Sequence, residues 1–71
     1  MTPTRFRECL ALIHMSQRGF AELIQEDERR VRRMASGSEE IPADVADWLE
    51  RAAAWHAENP PPIRQRSRGP P

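Results

Sequence analysis

Two short amphipathic segments, joined by only three residues, constrain this chain more than any other feature of its sequence. Gln17–Ile24 places Phe20, Ala21, Leu23 and Ile24 on one face. Glu28–Ala35 places Val31 and Met34 three apart on its inward side. Each segment makes about two helical turns, too few to hold helical form without neighbours. Ser16 and Asp27 precede them as N-caps, whose side-chain oxygens accept from the free amides of the first turn. The charge of Asp27 also suits the positive end of the helix dipole. Gly37 supplies the C-terminal stop of the second segment.

The neighbours come from either side. Thr2 is an N-cap and Pro3 fits the first position of a helix that carries Phe6, Cys9, Leu10, Leu12 and Ile13 at helical spacing. No glycine follows it, so His14 or Met15 must make the turn, with Met15 just past the helix end. Residues 38–41 read as a polar link. Pro42 opens a fourth helix, with Asp44 and Asp47 near its N-terminus and an apolar stripe of Val45, Trp48, Leu49, Ala52 and Ala53. Trp55 and His56 extend or flank that stripe, and Asn59-Pro60-Pro61-Pro62 ends the helix. The expected fold is all-α, a compact bundle of about four helices over residues 1–59. Residues 60–71, rich in Pro and Arg, are expected to form a disordered or extended tail. No strand-like alternation and no internal repeat interrupts this pattern.

Size and composition exclude several function classes. A chain of 71 residues leaves no room for a catalytic domain with a deep cleft. No apolar run is long enough for a membrane span, and the start lacks the apolar run of a signal peptide, so a cytoplasmic location is expected. Cys9 is the only cysteine, which rules out an internal disulfide and a multi-cysteine zinc site and makes it a core residue. His14 and His56 have no partners at metal-ligand spacing, so neither a metal nor another cofactor is expected. No nucleophile–base pair, paired carboxylates or phosphate loop stands out, which argues against an enzyme.

The zero net charge conceals segregation. Residues 1–37 carry a net +2, residues 38–59 a net −5 and residues 60–71 a net +3. All 11 basic residues are arginine, the side chain suited to bidentate recognition of phosphate and guanine, although a GC-rich coding sequence gives the same bias. Four of them, Arg29, Arg30, Arg32 and Arg33, point outward with Glu28 from the second short segment. The three-residue joint before that segment is the spacing of a helix-turn-helix.

The run Ser16-Gln17-Arg18-Gly19-Phe20-Ala21-Glu22-Leu23-Ile24, followed by Asp27, Val31, Met34 and Gly37, resembles the DNA-binding domains of the phage lambda repressor and Cro type, the XRE family. Val31-Arg32-Arg33-Met34-Ala35-Ser36-Gly37 and Ile41-Pro42-Ala43-Asp44-Val45 are similar to short members of the same family, and the likeness covers roughly residues 3–58. Gln17, Ala21, Asp27, Val31 and Gly37 fit the family spacing. Three positions depart from it. Gln25 stands where the turn usually has Gly and is strained if left-handed. Glu26 stands where an apolar residue is usual and is expected to swing to solvent. Met34 stands where a larger apolar residue is common.

The resemblance implies a sequence-specific regulator of double-stranded DNA, with residues 28–35 as the recognition helix in the major groove. Glu28, Arg29 and Arg32 would lie closest to base edges, with Arg29 and Arg32 reading guanine. Glu28 would accept from cytosine N4 or pair with Arg32 four residues on. Arg33 would meet base or phosphate, Arg30 phosphate, Gln17 and Arg18 the backbone at the start of the preceding helix, and Ser36 phosphate on the far side. The expected protein is a small repressor of phage or mobile-element type that excludes polymerase from a palindromic operator as a homodimer. No small-molecule ligand is expected, since the chain has no separate effector domain. The acidic fourth helix would face away from DNA and offer Trp48, Ala52 and Trp55 as the dimer surface, although Trp48 alone reads as core. The alternative is an adaptor or antitoxin-like module that docks a partner protein through that helix and the tail. Arg64, Arg66 and Arg68 would touch phosphate or the minor groove, or merely solubilise the tail.

Overall fold

A computed structural model describes residues 1–64. Among them lie four α-helices and no strand: α1 Pro3–Leu12, α2 Gln17–Ile24, α3 Glu28–Ser36 and α4 Ala43–Glu58. The caps stand where the sequence places them. The hydroxyl of Thr2 accepts from the Arg5 amide at 3.0 Å, that of Ser16 from Gly19 at 2.9 Å, and the Asp27 carboxylate from Arg29 at 2.8 Å. Pro42 is the N-cap of α4 rather than its first helical residue, and it offers no side-chain bond.

The first three helices end by one device. His14, Gln25 and Gly37 take left-handed backbone conformations, with φ of 58°, 56° and 90°. In each case the next amide donates to a carbonyl five residues back: Met15 to Leu10, Glu26 to Ala21 and Ser38 to Arg33, all at 2.9 Å. This satisfies carbonyls that a helix end leaves free. Gly37 suits the position doubly, because a Cβ there would sit 3.2 Å from Pro3 Cγ. Gln25 has no such excuse and carries the strain of a left-handed L-residue, about 1–2 kcal/mol. Gln25→Gly is therefore expected to raise stability by about 0.5–1 kcal/mol once the greater freedom of unfolded glycine is deducted. A urea midpoint that falls in this variant would contradict the assignment.

Phe6, Cys9, Phe20, Val31, Met34 and Leu49 are the largest side chains sealed from solvent, and they draw from all four helices. α1 packs on α3 and α4, and α2 packs on α3. Phe20 meets Phe6 edge-on at 6.0 Å and the Trp48 ring at 6.1 Å, which links α2 to both outer helices. Ala21 is buried, as the close approach of α2 to α3 requires. Burial also pushes the Cys9 thiol up. Outside the core, Arg5 forks onto Glu50 at 3.0 and 2.8 Å and ties α1 to α4.

Four expectations need correction. Leu12 and Leu23 are 45% and 52% exposed and lie off the apolar faces assigned to them. A two- to three-turn helix in so small a bundle has room for only a narrow buried stripe. Trp48 is not core: one flank lies on Phe20 while 41% of the residue faces solvent, and Leu49 and Ala53 carry the sealed part of α4. The 38–41 link is not wholly polar, because Ile41 is only 8% exposed and closes the bundle between α3 and α4. Glu26 does not swing free: its carboxylate accepts from the Asp27 amide at 3.0 Å and from Arg30 at 2.9 Å. Beyond α4, Pro60–Arg64 are exposed and without helix, whereas Arg66 and Arg68 lie outside the described residues.

Candidate nucleic-acid interface

Val31, Met34 and Ala35 bury the inner side of α3. Helical spacing then sets Arg29, Arg32, Arg33 and Ser36 along the outer side, at i, i+3, i+4 and i+7. The side chains of Arg29 and Arg32 are 85% and 66% exposed. Two fixed ends hold this row. Asp27 caps the start, and at the far end Arg7, from α1, donates to the carbonyl of Ala35. Arg7 is a positioning residue that the sequence reading did not single out, since nothing in helical spacing pairs residues 28 positions apart.

Acids thread between the arginines. Glu28 pairs with Arg32 one turn on, which is one of the two roles expected of it. Arg29 sits 3.8 Å from Asp27, and Arg18, at the exposed start of α2, sits 3.6 Å from Glu22. Gln17 is half-buried beside it. Arg30 is held from two sides, by Glu26 and by Glu39. Arg33 also donates to Glu39, at 2.9 Å. The Ser36 hydroxyl donates to the Arg33 carbonyl at 3.1 Å and lies 2.8 Å from that of Ser38. Glu39 is the residue that sequence reasoning missed, because it reaches α3 from beyond the Gly37 turn, where no helical periodicity applies.

The Arg33 and Arg30 guanidiniums hold the Glu39 carboxyl below its ordinary 4.5. A depressed carboxylate favours the folded state above its unfolded pKa and loses that effect as pH falls through the folded value. Titration below pH 4.5 should therefore release the link from α3 before the core opens. Glu39→Gln should abolish that acid-dependent step, and an unchanged pH profile would contradict the tie. Both pairs are open to solvent on one side, so their contribution is small and can be exchanged for another anion.

A second surface lies along α4. Trp48, Ala52 and Trp55, with Ile13 and Met15 from the end of α1, line an open and largely apolar groove that Arg51 and His56 also border. Trp55 is 59% exposed and meets His56 edge-on at 5.3 Å. Among the described residues no helix is long and apolar enough to cross a membrane, and no cluster of His, Cys, Asp or Glu stands at metal-binding distance. No family model matches the chain, and neither a curated protein nor a solved structure matches it.

Proposed function

We propose that the chain is a sequence-specific double-stranded DNA-binding regulator, a small homodimeric repressor in which α2 and α3 form a helix-turn-helix of the lambda repressor and Cro type. The observation that carries this reading is the exposed row Arg29, Arg32, Arg33 and Ser36 on a helix capped at its start and anchored through Val31 and Met34. A helix of this width fits the major groove, where arginine reads guanine through O6 and N7. The intramolecular pairs are consistent with it. Each exposed pair is weak in water, so a phosphate or a base edge can replace the carboxylate on its arginine. Arg29 and Arg32 are the assigned base readers, Arg33 meets base or phosphate, and Gln17, Arg18 and Ser36 position the backbone. Arg30 serves as a support for the Glu39 link as much as a phosphate ligand. α4, acidic and rich in exposed apolar surface, faces away from DNA and pairs the two copies.

Selection from a random duplex library with the purified chain tests this reading. The expected product is a two-fold symmetric consensus with half-sites about one helical turn apart. A pool without a consensus would overturn it. The exposed groove on α4 favours one second reading, an adaptor that docks a protein partner there, and in that case no consensus emerges while Trp55→Ala alone abolishes function.

A further inference from the structure

We propose that Glu39 is a built-in competitor for DNA phosphate, seated on Arg33 in the free chain and displaced when duplex is bound. This rests on the DNA-binding reading above and deepens it. It assigns Arg33 to phosphate rather than to a base edge, and it gives the interface an autoinhibitory contact.

The two oxygens of the Glu39 carboxylate are divided between two arginines. Oε1 accepts from Nε of Arg33 at 2.9 Å, and Oε2 accepts from Nε of Arg30. A carboxylate so placed occupies the guanidiniums as a phosphate does, with anionic oxygens on charged N–H donors. Arg33 and Arg30 hold its carboxyl below the ordinary 4.5, so it is ionised at neutral pH. Glu40, one residue on, is exposed and makes no ion pair among the described residues. The contact therefore belongs to Glu39 and is not a general effect of an acidic link.

The arm that carries Glu39 is tied to the end of α3. The carbonyl of Arg33 accepts from the amides of Ser38 at 2.9 Å and Glu39 at 3.2 Å, and from the Ser36 hydroxyl at 3.1 Å. Two residues further on, Ile41 is sealed in the core. The carboxylate thus stays within reach of Arg33 and competes at high effective concentration, although the pair itself is weak in water. Exchange needs the Glu39 side chain to turn away and leaves the core closed. Arg30 keeps Glu26, at 2.9 Å, when Glu39 leaves. Arg33 has no second acid among the described residues, so it is the arginine that an incoming phosphate gains. The displaced carboxylate then stands near that phosphate, and their repulsion adds to the lost pair.

Binding of the full chain to its selected duplex and to random duplex, each over a salt series, tests the competition. Glu39→Gln keeps the size of the side chain and removes its charge. It should bind both duplexes about fivefold or more tightly, and by the same factor, because a phosphate contact carries no sequence information. Its plot of log affinity against log salt should steepen by about 0.9 for each phosphate newly neutralised. Glu40→Gln makes the same charge change one residue away and should gain less than about twofold. Glu39→Gln/Arg33→Gln should bind no more tightly than Arg33→Gln, since the acid acts through that arginine. A gain no larger than that of Glu40→Gln, or one that survives the loss of Arg33, overturns the competition and leaves DNA binding intact. A gain confined to the selected duplex overturns the assignment of Arg33 to phosphate. A chain that binds neither duplex removes both the competition and the DNA-binding reading.

Discussion

Replacing Arg29 and Arg32 together by alanine will lower affinity for the selected duplex by about 100-fold or more while leaving the helical bundle folded. Each bidentate arginine–guanine contact is worth about 1–3 kcal/mol of discrimination, and a dimer applies the loss at both half-sites. Removing Arg32 also leaves Glu28 unpaired at the tip of α3, where it repels the polyanion. Neither side chain belongs to the core, so the thermal midpoint should barely move. Arg18→Ala provides the contrast. It should weaken binding evenly across sequences and flatten the salt dependence, the signature of a phosphate contact. Undiminished binding by Arg29→Ala/Arg32→Ala would place the interface elsewhere on the molecule.

Phe20→Ala is expected to unfold a large fraction of the chain at room temperature. A native chain of 71 residues has about 4–10 kcal/mol of stability in total. Deleting a sealed phenyl ring costs about 3–5 kcal/mol. Phe20 is fully buried and bears on Phe6 of α1 and Trp48 of α4, so its loss opens the joint among three helices at once. Loss of helical signal in circular dichroism checks this. A variant that keeps its melting midpoint would show that the four helices do not share one core.

Most of the helical framework was legible because it depends on local chemistry. Thr2, Ser16 and Asp27 cap the helices they precede, and Gly37 ends α3, since each acts within one turn of its own position. Val31, Met34 and Cys9 were legible as core from their spacing. What escaped depends on tertiary contact. Periodicity gives a helix an apolar face but not the width of its neighbours, so Leu12, Leu23 and Trp48 read as inward although the bundle leaves them largely uncovered. Ile41 hides in a link whose other residues are polar. On the candidate interface, the outward set of arginines followed from the helix itself. Their restraint by Glu26 and Glu39 did not, because Glu39 acts across a chain reversal and Glu26 turns onto Arg30 instead of swinging to solvent.

On the proposed function, α3 reads bases rather than merely presenting charge. The most direct measurement is a salt titration of the full chain against its selected duplex and against random duplex. Specific recognition predicts parallel losses with rising salt and a gap of about a thousandfold or more that persists throughout. Two curves that converge as salt rises would mean that the arginine row is only an electrostatic surface.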